Sequence, residues 1–265
     1  MLFRSDPEVA CVQTVNTVRN GKTNILSRLV QMEYLSRYEV LYAGRSMALF
    51  MGSGGIFRTS ILKQLDGFNG KMLTEDLEIS YRIYEAGYKI VLDDNIATHE
   101  LATTDCKNYY KQRHRWFRGI WQSYQIHFFK MLKAKMPIKN KFFFLHVIIE
   151  YFALLSYLYT IVLYSLDTFK IITFDAKYLV YIETITIAMV LVISFIKTKK
   201  FGLFFFLPLI VIYYIFYSLP NLMALIDNWV LRAEKNWVKT ERTKGNVVTY
   251  PVFVKTNYKE SIPQD

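Results

Sequence analysis

Apolar positions fall into two regimes along this chain: short runs and stripes at first, then nearly continuous stretches after residue 141. Val9, Ala10, Cys11, Val12 and Val15 form a β-rich run that predicts a strand, followed by a turn at Arg19-Asn20-Gly21-Lys22. Ile25, Leu29, Met32 and Leu35 recur at helical spacing and predict a long amphipathic helix from Asn24 to about Ala48. Thr74 predicts the cap of a second helix that runs through Ala86 and stops at Gly87, with Leu77, Tyr81 and Tyr84 striping its buried side. Lys89-Ile90-Val91-Leu92 and Ile96-Ala97-Thr98 read as two short strands around an Asp93-Asp94-Asn95 turn. Stretches 142–166, 178–196 and 201–226 are each long enough to cross a bilayer, and Pro208 and Pro220 predict a kink or a re-entrant path in the third. His146 and Glu150 stand near the start of the first stretch and Glu183 near the start of the second. Such groups line polar channels or snorkel from a segment end, and the end positions favour snorkelling.

Composition sharpens this division. The chain has 265 residues, enough for one domain plus appendages, with 52% hydrophobic and 17% aromatic residues. Cys11 and Cys106 make neither a disulfide framework nor a metal-ligand pattern. The net charge of +11 is uneven: 107–141 holds ten Lys or Arg and no Asp or Glu. That run ends where the first long apolar stretch begins, and no nucleic-acid-binding motif accompanies it. A bilayer is therefore the expected partner rather than a nucleic-acid polymer, with the basic side cytoplasmic. The mixed loop 167–177 suits the outside and Lys197-Thr198-Lys199-Lys200 the inside. Three crossings then place the tail outside, whereas Arg232, Lys235, Lys239, Arg242 and Lys244 argue for the inside.

Candidate chemistry collects at three places. In Gln112-Arg113-His114-Arg115-Trp116, helical geometry puts Gln112, Arg115 and Trp116 on one face, offering an amide, a fork for anionic oxygens and a flat apolar platform. An interfacial helix with Trp at the membrane boundary is the competing reading. Gly52-Ser53-Gly54-Gly55 follows an apolar run and allows either a tight turn or close approach to a ligand. Glu75 and Asp76 open the second helix, where acids complement the helix dipole. At the rim of a cleft, such a carboxylate is also placed to take a proton from a hydroxyl nucleophile.

Thr74-Glu75-Asp76, then Gln112-Arg113-His114-Arg115-Trp116 36 positions after Asp76, then apolar helices, is a combination more specific than its parts. It resembles the processive, membrane-embedded family 2 glycosyltransferases that make cellulose, chitin and poly-N-acetylglucosamine. The glycine-rich loop from Phe50 to Gly55, which holds Gly52 and Ser53 and has Met51 where cellulose synthases usually carry Cys, resembles the acceptor-side loop, and Gly67-Phe68 fits the same pattern. Trp237-Val238-Lys239-Thr240-Glu241-Arg242-Thr243-Lys244-Gly245 is similar to the gating loop of cellulose synthases. The resemblance implies an α/β GT-A-type domain whose N-terminal half is missing (1–130), interfacial and transmembrane helices (131–226) and a basic tail (227–265). It implies a nucleotide-sugar donor, with UDP-sugars first, and a growing glycan as acceptor. Asp76 would be the base. Arg115 and Arg113 would hold the diphosphate with Gln112 in support, Trp116 would stack on the acceptor, and Thr74, Glu75, Gly52 and Ser53 would line the substrate site. The Asp-x-Asp that binds Mg²⁺ or Mn²⁺ in that family has no counterpart here: Asp6 has no Asp two positions away. The missing half, as a separate chain or the rest of a longer frame, is then an expected partner, and this chain alone is expected to be inactive. Plasma-membrane location with a cytoplasmic transferase domain follows from the same resemblance. Two alternatives stand beside it: a catalytically silent membrane-anchored interaction protein of the same descent, and a small transporter using Glu150 and Glu183.

Overall fold

The computed structural model describes residues 6–42, 47–171, 173 and 177–231. The tail segment resembling a gating loop therefore lies outside the described residues. The first part holds a three-stranded mixed sheet in the order β2-β1-β3, with β1 at Val9–Val18, β2 at Gly55–Phe57 and β3 at Lys89–Glu100. Val9 through Thr14 are all buried, as expected for a central strand covered on both faces. β2 pairs antiparallel with β1 through Val12↔Ile56, and β3 pairs parallel with it from Val9↔Lys89 to Val18↔Glu100. The two short strands predicted around Asp93-Asp94-Asn95 form one strand. Its register jumps from Thr14↔Asp93 to Val15↔Ala97, so the turn residues become a bulge.

The predicted amphipathic helix is α1, Ile25–Tyr42. Asn24 Oδ1 accepts from the Ser27 N–H at 2.9 Å, the bond expected of an N-cap. Leu29, Met32 and Leu35 are buried, whereas Ile25 stands in the first turn and is 59% exposed. α2, Thr59–Gln64, leads to α3, Glu75–Glu85, which ends as expected with Gly87 at φ 85°. Ile79, Tyr81, Ile83 and Tyr84 of α3 enter the core, and Leu77 is half-buried. α4 is a single long helix, Cys106–Lys133, capped by Asp105, whose side chain accepts from the Asn108 N–H at 2.8 Å.

Three further helical segments are long and apolar enough to cross a membrane: Ile138–Thr168, Lys177–Lys197 and Phe201–Trp229. The first is α5. The second belongs to α6, Lys177–Thr198. The third is a 3-10 stretch, Phe201–Leu209, continued by α7, Ile210–Trp229, so Pro208 falls in the tight stretch and Pro220 within the α-helix. α4 lies along α7 and is tied to it by side chains. Trp121 Nε1 donates to Asn221 Oδ1 at 2.9 Å, Asn228 Nδ2 donates to the Arg118 carbonyl at 2.8 Å, and His114 Nε2 meets Asp227 Oδ2 at 2.9 Å. Asn221 also donates to the Tyr151 carbonyl of α5 at 2.9 Å. The basic helix thus presents a polar seam to α7.

Candidate active site

The C-terminal ends of the parallel strands β1 and β3 are where open α/β sheets bind ligands. Here that edge is built up by the glycine-rich loop. The buried Gln13 amide donates to the Ser53 carbonyl at 2.9 Å and accepts from the Met51 N–H at 3.3 Å, which fixes the loop above β1. Gly52 and Gly54 have φ of 78° and 65°, a left-handed conformation that a side chain disfavours. A Cβ on Gly52 would stand 2.8 Å from Asp76 Oδ2, so loop and carboxylate are in direct apposition.

α4 supplies the opposite wall and grips the segment ahead of Asp76. Arg115 Nη1 donates to the Leu73 carbonyl at 3.0 Å. Gln122 accepts from the Leu73 N–H and donates to the Lys71 carbonyl, both at 3.3 Å. Gly119 lets the helix touch Thr74, since a Cβ there would lie 2.5 Å from the Thr74 Oγ1. Thr74 occupies the N-cap position, but its hydroxyl makes no cap bond and is buried against α4 without a hydrogen-bond partner among the described residues. The expected side-chain cap is thus replaced by helix packing.

A cavity of about 130 Å³ results, lined by Thr74, Asp76 and Trp116 together with Phe50, Met51 and Glu100. Val147 and Tyr151 of α5 close it, so the first apolar helix forms part of its wall. Burial pushes the Asp76 carboxyl up to about 6, and the neighbouring Glu75 charge adds to this. The Leu77 N–H, which donates to Asp76 Oδ1 at 2.8 Å, and the Arg115 charge oppose the rise. A carboxylate poised near neutrality is what general-base chemistry requires.

The other expected residues divide. Ser53 sits beside the cavity, where its hydroxyl meets Glu100 Oε1 and accepts from Asn16 Nδ2 at 3.1 Å. Glu75 opens α3 next to Asp76 and Arg115. Gln112 is half-buried and accepts from Arg113 Nη1 only at 3.5 Å. Arg113 departs from expectation. It does not line the cavity with Asp76, is 1% exposed, and pairs with Glu33 at 2.8 Å, so its guanidinium is committed to the interior rather than offered to a diphosphate.

The polar cluster of Asn16, Tyr34 and Glu100 went unnoticed in the sequence. Tyr34 OH donates to Glu100 Oε2 and Asn16 Nδ2 to Glu100 Oε1, both at 2.9 Å. The available signal was a carboxylate at the end of a strand that pairs parallel with β1. A second cavity, of about 340 Å³, lies among the apolar helices and is lined by His146, Glu150 and Glu183; Val147 and Tyr151 border both cavities. Glu183 accepts from Ser156 at 2.9 Å and Thr160 at 2.7 Å, so it faces α5 instead of snorkelling. Among the described residues, no three His, Cys, Asp or Glu side chains converge to hold a metal ion. The described residues therefore do not by themselves assemble a metal site.

These features meet in a known family. A model described as glycosyl transferase family group 2 matches residues 1–226, and the chain belongs to this family. Among curated sequences it is 26% identical over 257 residues to the probable glycosyltransferase YdaM of Bacillus subtilis (strain 168), covering 90% of this chain. The chain spans 60% of the length of that relative. Among solved structures, the mannosyltransferase PcManGT from Pyrobaculum calidifontis, in complex with GDP-Man and Mn²⁺, aligns with a TM-score of 0.45 and 14% identity. That alignment covers 86% of this chain and 56% of the other.

Proposed function

We propose that this chain carries the acceptor side of a membrane-embedded, inverting glycosyltransferase that moves a sugar from a nucleotide-sugar donor to a growing glycan. The observation that carries the reading is the Asp76 carboxyl, raised to about 6, sharing one cavity with Trp116 beneath the glycine-rich loop. As the acceptor hydroxyl attacks the anomeric carbon, its proton passes to Asp76. The bond to the nucleoside diphosphate breaks, and the diphosphate leaves with the electron pair. Arg115, the cation closest in influence to Asp76, serves the departing charge, and Trp116 stacks on the acceptor ring. The α/β part is read as the acceptor-side portion of a GT-A domain, facing the cytoplasm from the plasma membrane, with donor and divalent metal held by a portion outside this chain. Processive synthesis fits the wall shared by Asp76's cavity and the cavity among the apolar helices.

The test is transfer of labelled sugar from UDP-glucose, UDP-N-acetylglucosamine and GDP-mannose. It is run with the 265-residue chain and with the reading frame extended upstream of Met1, each with and without Asp76→Asn. Transfer is expected from the extended frame, falling about 10²-fold or more with Asp76→Asn. Transfer that survives the substitution overturns the base assignment, and strong transfer by the chain alone overturns its reading as a portion.

A further inference from the structure

Arg113 is the cation of the Gln112 to Trp116 stretch that the proposed reaction leaves unused. A fully buried guanidinium is costly unless a carboxylate meets it with good geometry. Glu33 of α1, 6% exposed, meets it through Oε2 at 2.8 Å, while Arg113 Nε has no hydrogen-bond partner among the described residues. The same oxygen accepts from the Tyr213 hydroxyl of α7, and Tyr213 in turn accepts from Tyr109 OH at 3.1 Å. The Arg113 guanidinium carbon lies 4.2 Å from the centre of the Trp116 ring, and 5.0 Å and 5.9 Å from those of Tyr109 and Tyr217. At 4.2 Å a desolvated cation attracts an indole strongly enough to select among its orientations. Trp116 is the half-buried ring that lines the cavity with Asp76.

We propose that Glu33 and Arg113 are positioning residues. The pair fixes the Trp116 indole in the orientation the cavity presents to a sugar ring, and α7 sets the pair through Tyr213. What Trp116 receives rests on the function proposed above; the clamp itself rests on the geometry. Neither Glu33 nor Arg113 lines the cavity at Asp76. Their influence passes through the ring, and the membrane helix reaches the site by the same route.

A merely structural ion pair would hold α1 to α4 without governing Trp116. The distinction is made on the full chain in detergent with the double variant Glu33→Leu/Arg113→Met, which removes both charges at similar volume, and with Tyr213→Phe, which deletes one hydroxyl. Each is measured beside its Trp116→Phe counterpart, so that the difference isolates Trp116 fluorescence. Acrylamide quenching of that signal is recorded, as is its titration with cello- and chito-oligosaccharides. Trp116 is expected to become more accessible in both variants. The half-saturating oligosaccharide concentration should rise about tenfold in the double variant and less in Tyr213→Phe. A folded double variant with unchanged Trp116 quenching and unchanged titration overturns the proposal. Should the double variant not fold, Tyr213→Phe decides by the same two readouts. If the wild-type chain ignores the oligosaccharides while the variants still expose Trp116, the clamp stands and the acceptor reading of Trp116 falls.

Discussion

Asp76→Asn should make the protein more stable at neutral pH while removing its proposed base. The carboxyl rises from the ordinary 3.8 to about 6, chiefly through burial. That difference of about 2 pH units, at roughly 1.4 kcal/mol each, costs the folded state about 3 kcal/mol once the group ionises. Asn keeps the size of the side chain and an oxygen to accept from the Leu77 N–H, so most of that cost is recovered; we expect a gain of about 2–3 kcal/mol at pH 7.5. By the scaling for chains of 150–250 residues this is a rise of roughly 4–12 °C in melting temperature. The sign of its pH dependence is fixed. Between 3.8 and about 6 the folded protein holds a proton that the unfolded chain has lost, so stability falls as pH rises through that window. Below it both states are protonated, and the advantage of Asn vanishes. The assay is thermal unfolding of wild type and Asp76→Asn in detergent from pH 4 to 8. A gain that is absent at pH 7.5, or the same at pH 4 and pH 7.5, refutes the argument. Transfer, where it is measured, should rise through the same pH as Asp76 loses its proton.

Gly119→Ala brings a Cβ to 2.5 Å from the Thr74 hydroxyl and 2.8 Å from its backbone nitrogen, which has little room to yield. Overpacking of about 1–3 kcal/mol should outweigh the helix-propensity gain of about 1 kcal/mol, lowering the unfolding midpoint; a raised midpoint would show that α4 does not seat on Thr74. His127 donates to Glu85 Oε1 at 2.7 Å and faces Glu78 Oε1 at 3.6 Å. Burial works against its charge, but the bond to Glu85 and the facing Glu78 carboxylate prevail and raise it above 6.5. Its contribution to stability is therefore complete below 6.5 and lost as pH rises through the raised value. His127→Gln should flatten unfolding midpoints on the alkaline side of 6.5, and an unchanged slope would contradict the pairing.

Local signals were well expressed in the sequence. The stop of α3 at Gly87, the three apolar helices and the face shared by Gln112, Arg115 and Trp116 depend on near neighbours and on periodicity. Arg113 was different. Successive helical residues point about 100° apart, so whether its side of α4 faced ligand or interior was decided by Glu33, 80 residues earlier. Thr74 sits where a cap belongs, yet Gly119 presses α4 onto its hydroxyl, a contact no window around residue 74 contains. Glu100 was hidden by the bulge. Read as two strands, 89–100 has no defined end over β1; the jump between Asp93 and Ala97 is what carries Glu100 to the site edge. Ile25 fits the helical stripe but stands in the first turn, beyond the reach of the core.

The Glu33–Tyr213 contact also sets a clock on biosynthesis. The hydroxyl that completes the cluster around Glu33 lies 180 residues later in the chain. At about 5–20 residues per second, Glu33 waits roughly 9–36 s on the ribosome for it. In that interval the third apolar segment has still to be made, so a stalled chain holds Arg113 without its full set of partners. Completion of the fold around Trp116 is thereby deferred until the last apolar helix arrives.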